Sequence, residues 1–435
     1  MRFDHRLLVL CVAIGLLTGG VNAQFNSGSD GSDLSYNPQE NETIDLSQAV
    51  TAAWDTPSPN PGKGVYDPEK WAIVFKYTSI TIPEDVTVTF TNHPSGAPVV
   101  WLATGNVALN GTIVLDGQDG SSGSAYRTPG PGGFAGGRGY SASTLPNSAG
   151  FGPGGAPRVG SNTVGGGGYG SAGGSSSTSA AGGGAYGNVS ILPLIGGSGG
   201  AGNHTSSHTH NGGAGGGAIL IASSSNIEII GSSAITADGG NGSGSYDTYS
   251  GGSGGASGAG SGGAIRLLAN AIIGSGGLYA RGGNRYTWNG YSSNDGYGGS
   301  GGHGRIRMEA TTLTYGGVAD PAPTYGAPEH VFPPSSAPTL RVTHIDGTAM
   351  PTDPHAGVLT PDVAVSGDNV VTIHIEAMNI PVDEQVQVHI TPERGDEIEV
   401  YSTPLFGSFS YSTATVDVQL PSKRSEIHVR VNWTP

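Results

Sequence analysis

GGGAILIASSSNIEIIGSSAITADGG, residues 215–240, contains three short runs, AILIA, NIEII and SAITA, each aliphatic or β-branched and each closed by Gly, Ser or Asn. Runs this short, alternating and separated by turn residues, specify strands and not helix. The unit recurs as GGAIRLLANAIIGSGGLYARGG at 262–283, as GHGRIRMEATTLTYGGVAD at 302–320 and, earlier, as GAPVVWLATGNVALNGTIVLDG at 96–117. Three strands and three turns cannot bury an apolar face alone, so successive units must stack. The pattern predicts a parallel, right-handed β-helix in which Ile219 and Ile221 point inward above Ile265 and Leu267, with Ile306 and Met308 next. Each buried aliphatic side chain contributes about 1.5–3 kcal/mol. WAIVFKYTSITIPEDVTVTF, Trp71 to Phe90, supplies one further coil or an N-terminal cap.

Between these units lie glycine-rich excursions of unequal length, the longest at about 118–214. The chain holds 78 glycines without a G-X-Y period, which excludes collagen. Glycine buries little and visits positive φ freely, so the excursions are expected to be either flexible or held by backbone hydrogen bonds on the flank of the helix. One apolar patch, YGNVSILPLIGG at 186–197, is expected to anchor as a strand.

Outward from the repeats the texture changes on both sides. Residues 1–23 combine an arginine-bearing start, an apolar run and a small-residue Val21-Asn22-Ala23 site, the pattern of a secretory signal. Residues 24–70 form an N-terminal segment and cap, 71–320 the glycine-rich β-helix, and 321–338 a proline-rich linker. TLRVTHID, VVTIHIEAMNI, EQVQVHITP, DEIEVYSTPL, STATVDVQL and EIHVRVNW then alternate cleanly, which predicts an immunoglobulin-like antiparallel β-sandwich over 339–435. The fold class is thus all-β throughout.

Cys11, inside the apolar run, is the only cysteine, so the exported chain holds no internal disulfide. The formal charge of −15 argues against nucleic acid, which is bound through clustered Lys and Arg. No later apolar run approaches the roughly 18 residues that a membrane span requires.

Candidate chemistry is sparse. No Asp or Glu lies between Gly120 and Ile227, which leaves few carboxylates to pair for glycoside hydrolysis. Asp116, Asp238, Arg281 and Asp320 fall at the same turn of successive units, as a cleft-lining site or as turn-favouring residues with surface ion pairs. Arg266 and Arg307, beside Arg305 and Glu309, are expected on a solvated outer strand face or in a basic patch for an acidic sugar. His204, His208 and His210 have spacings that suit a zinc or nickel ion, yet no carboxylate or rigid element accompanies them. Tyr246, Tyr249, Tyr286, Trp288 and Tyr291 sit between glycines, where flat aromatic faces either stack on sugar rings or pack on the scaffold. No cofactor motif is present.

GSDGSDL at 28–34, GVYDPEKWAIVFKY at 64–77, NHPSGAPVVWLA at 92–103, ILPLIGGSGGAG at 191–202 and the closing TPERG and STATVDVQLP segments resemble a group of uncharacterised exported glycine-rich bacterial proteins. The resemblance implies no reaction, cofactor or site residue. The expected function is that of a non-catalytic extracellular or cell-surface protein whose glycine-rich loops meet polysaccharide or matrix components. The alternative is a carbohydrate-active lyase, hydrolase or glycan-binding module.

Overall fold

The computed structural model describes residues 24–123, 125–139, 148–157, 163–204, 208–245, 255–288, 296–351, 361–365, 370–393, 396–421 and 424–433. The expected signal at 1–23 lies outside them. The described chain is all-β, with one turn of 3-10 helix at Leu46–Gln48 and no α-helix.

Alternating aliphatic runs pair in parallel, and they do so in three columns. Ala72–Tyr77, Val99–Ala103 and the first halves of Ala218–Ile229, Ala264–Gly274 and Arg305–Tyr315 form the first. Ser35–Tyr36, Ser79–Ile82, Val107–Leu109 and the second halves of the same long strands form the second. Glu42–Asp45, Thr87–Thr91, Thr112–Val114, Ala234–Thr236, Gly277–Tyr279 and Ala319–Asp320 form the third. Ile219 pairs with Ile265 and Ile265 with Ile306, while Ile221, Leu267 and Met308 follow the same register. All six lie in one buried cluster with Ile73, Phe75, Val99 and Trp101.

The opposite face of the first column is buried as well. Val74, Val100, Leu220 and Leu268 are covered by Phe25, Trp54, Val331 and Phe332. Strands buried on both faces read as near-continuous apolar runs, which AILIA and AIRLLA are. This corrects the expectation for Arg266, which is 1% exposed. Its guanidinium donates to both carboxylate oxygens of Glu309 at 3.1 Å and to the carbonyls of His330, at 2.7 Å, and Val331, at 3.1 Å. Arg307 donates to the same carboxylate at 2.7 Å. Instead of a solvated basic patch there is an ion cluster beneath a proline-rich segment.

Column ends are managed explicitly. Val65–Asp67 lies antiparallel on Ala72–Tyr77, with Val50–Thr51 beyond it, and Thr324–Gly326 covers Arg305–Tyr315 at the other end. Such strands blunt edges that would otherwise template pairing with another chain.

The described residues of the glycine-rich excursions are held by their backbones. Along residues 212–217, Gly212 and Gly215 donate to the carbonyls of Gly137 and Phe134, Gly213 and Gly216 to Gly258 and Ser261, and Ala214 and Gly217 to Gln118 and Leu115. Each neighbour is met once every three residues. That period belongs to an extended helix of the polyproline-II kind, which has three residues per turn and no internal hydrogen bonds. Bundling supplies the partners that buried backbone groups require. None of these glycines takes a positive φ. What the bundle requires is the missing Cβ, because one built on Gly215 would stand 1.9 Å from the Gly197 carbonyl oxygen and one on Gly258 1.7 Å from that of Gly165. Residues 186–197 anchor the bundle as a turn, not as a strand, with Ile191 buried against Tyr169, Ala218 and Ala264.

C-terminally, Thr339–Ile345, Thr348–Ala349, Val370–Met378, Phe406–Ser408 and Tyr411–Gln419 form one antiparallel sheet. Gln385–Pro392, Ile398–Pro404 and Ser425–Arg430 form a second. Ile373, Ile375, Val386, Val388 and Val416 share one core between them. The second sheet lies on the glycine bundle: Arg138 meets Glu393 at 3.1 Å, the Gly152 N–H donates to Glu426 at 2.9 Å, and Phe134 contacts the His428 ring edge-on.

Candidate binding face

Bundle segments leave the strand stack and return to it in antiparallel pairs. Gly200 and Gly197 donate to Gly213 and Gly216, Gly260 and Gly263 to Gly240 and Ala237, and Gly301 and Gly304 to Gly283 and Ala280. Six residues at about 3.1 Å each carry a turn roughly 19 Å outward. At the far end each pair closes in a small antiparallel hairpin. These are Asn203–His204 with Thr209–His210, Gly244–Ser245 with Gly255–Ala256, and Thr287–Trp288 with Gly296–Tyr297.

The three hairpins are neighbours. The Nε2 of His210 lies 2.9 Å from the Ser245 hydroxyl and its Nδ1 3.4 Å from that of Ser243, which ties the first hairpin to the second. Tyr286 packs on Gly244, where a Cβ would come within 2.3 Å of its ring, and so joins the second to the third. The Arg285 guanidinium sits 4.1 Å from the Tyr297 ring centre, a cation–π contact at the same end. Of the aromatic candidates, Tyr286 thus belongs to this face and Trp288 lies in a strand of the third hairpin, while Tyr246, Tyr249 and Tyr291 lie outside the described residues.

Of the three histidines, His210 ties the first hairpin to the second. His210 is buried, and burial, then the neighbouring His208, lowers its pKa to about 4. The His208 and His210 rings stack 6.2 Å apart, and His204 stands on the opposing strand. Among the described residues no three His, Cys, Asp or Glu side chains gather as metal ligands.

A folded-state pKa below the ordinary value of 6.5 means that His210 folds neutral. The stability this contributes is complete above pH 6.5 and is lost as pH falls from 6.5 towards 4. Proteolytic nicking of the 203–211 hairpin is therefore expected to accelerate over that window, and His210→Gln to abolish the pH dependence. A cleavage rate flat from pH 7 to 4 would contradict the assignment.

The acidic candidates occupy a flank. Asp116 accepts from the Asp238 N–H at 2.7 Å, and Asp238 accepts from the Arg281 N–H at 2.6 Å and its Nε at 3.0 Å. Asp320 faces His303 at 3.6 Å. One helical turn further out a second ladder runs in step, unnoticed in the sequence: Asp119 accepts from the Asn241 N–H and Asn241 from the Asn284 N–H, both at 2.8 Å. Its signal is visible in DGQD at 116–119, DGGN at 238–241 and RGGN at 281–284. In both ladders a side-chain oxygen receives the next layer's backbone N–H. The residues hold successive layers in step, each committing at least one side-chain oxygen to the next layer's backbone.

No family model, curated protein or solved structure matches this chain. The functional reading therefore stands on the geometry. No helix among the described residues is long and apolar enough to cross a membrane.

Proposed function

We propose that this chain is a non-catalytic extracellular or cell-surface adhesive protein, exported by its first 23 residues. In this reading the three columns are successive coils of a parallel right-handed β-helix, and the C-terminal unit is an immunoglobulin-like sandwich serving as spacer or attachment module. The glycine bundle displays the ligand-binding hairpins.

The observation that carries the reading is the side-by-side placement of the three hairpins at the outer end of a hydrogen-bonded bundle. A binding face built on an ordered support loses less conformational freedom on capture than free loops do. Its aromatic content, Tyr286 and the Arg285–Tyr297 stack, suits sugar rings or the surface of another macromolecule. The Asp116–Asp238–Arg281 ladder is engaged in aligning layers, which favours display over hydrolysis.

The test uses the exported chain, residues 24–435, on an array of cell-wall polysaccharides and matrix proteins. Arg285→Ala/Tyr297→Ala, which removes the cation–π pair from the face, is expected to weaken capture about 10-fold. Turnover of any arrayed polysaccharide, lost in Asp238→Ala or Arg281→Ala, would overturn the proposal.

A further inference from the structure

A second face lies on the C-terminal unit. One sheet of the C-terminal unit is covered by the glycine bundle, but the outer face of the other is open. At one end of it lie Phe406, 85% exposed, Phe409, 59%, Tyr411, 49%, and Met378, 44%. Their placement follows from the strand register. Phe406 pairs with Thr413, Thr413 with Glu376 and Glu376 with Arg341, so these four form one row across the sheet. Ser408 pairs with Tyr411 in the adjoining row, which Met378 and Thr339 share. Outward-facing side chains of a sheet stand in such rows, and the result is a flat platform.

Polar groups beside the aromatics are fixed in place. The Tyr411 hydroxyl donates to Glu376 at 3.0 Å, and Glu376 is held from the other side by Arg341 at 3.0 Å. An oriented chain of donors and acceptors along flat aromatic rings complements a pyranose, which offers apolar C–H faces and equatorial hydroxyls. Charge narrows the occupant further. Residues 338–435 carry thirteen acidic and five basic side chains, so anionic surfaces and a second copy of the same domain are repelled. The adjoining edge strand, Phe406–Ser408, spans three residues, too few for stable strand addition.

We infer that this face binds a neutral polysaccharide chain, stacked on Phe406 and Tyr411 and hydrogen-bonded to the Tyr411–Glu376–Arg341 chain. It gives the terminal domain an attachment role independent of the hairpin face.

The experiment takes residues 24–435 and measures retention on insoluble β-1,4-glucan, β-1,3-glucan and poly-N-acetylglucosamine, with phosphatidylglycerol vesicles and sedimentation velocity in parallel. Retention on at least one neutral polymer is expected, about 10-fold weaker in Phe406→Ala and Tyr411→Ala, with Tm unchanged because both rings are exposed. Tyr411→Phe keeps the ring and is expected to lose less. Arg285→Ala/Tyr297→Ala leaves this retention intact, which separates it from the display function. No retention on any of the three polymers, or retention indifferent to Phe406, would overturn the inference. So would Phe406-dependent vesicle binding or dimerisation.

Discussion

Gly258→Ala is expected to destabilise the chain by about 3 kcal/mol, at the upper end of what overpacking costs. The added Cβ would stand 1.7 Å from the Gly165 carbonyl oxygen, a backbone atom that cannot rotate away. Gly258 also donates to the Ala201 carbonyl and accepts from the Gly213 N–H, so relieving the clash breaks hydrogen bonds on two sides. Gly184→Ala is expected to do the reverse. A Cβ there meets nothing within 4 Å and the φ is not positive, so restricting the unfolded chain stabilises by about 0.4–1 kcal/mol. Urea midpoints of the two variants against the parent decide the matter, and destabilisation of equal size in both would refute the steric argument.

The second large effect is expected at Glu309. This buried carboxylate accepts from Arg266 and from Arg307, and Glu309→Ala leaves two guanidiniums beneath the segment that Val331 and Phe332 hold down. Breaking a buried ion pair by removing one partner costs about 3–5 kcal/mol, whereas replacing it with apolar side chains of similar volume is often neutral. Urea unfolding should therefore show Arg266→Met/Glu309→Leu recovering at least half of the loss seen in Glu309→Ala. A double variant worse than the single would mean that the carbonyls of His330 and Val331 depend on Arg266 more than the cluster depends on its balance.

Much of the strand stack was legible in the sequence because its information is carried by side chains. Alternation placed Ile219, Ile265 and Ile306 in one line, and alignment of units placed Asp116, Asp238 and Arg281 at one turn. What covers a strand's far face is another matter. Arg266 reads as solvated until Phe25, Trp54, Val331 and Phe332, distant in sequence, close over the same layer.

Backbone hydrogen bonds were one of the two expectations for the glycine excursions, but the three-residue period of the bundle was illegible, for a different reason. Collagen shows a glycine at every third position because only one position in three faces a crowded axis. Residues 212–217 have neighbours on three sides, so every position must be small and the three-residue period vanishes into GGAGGG. The hairpin face shares this difficulty. His210, Tyr286 and Arg285 come together only because bundle segments of matched length deliver their hairpins to one end.

Amide hydrogen exchange on residues 24–435 tests the ordered bundle most directly. Peptides covering 212–217 and 258–263 are expected to exchange as slowly as the core strand Ala218–Ile229, since each set of N–H groups is buried and bonded to a neighbouring chain. Exchange of those glycine peptides at the rate of an unfolded chain, with Ala218–Ile229 still protected, would contradict the account.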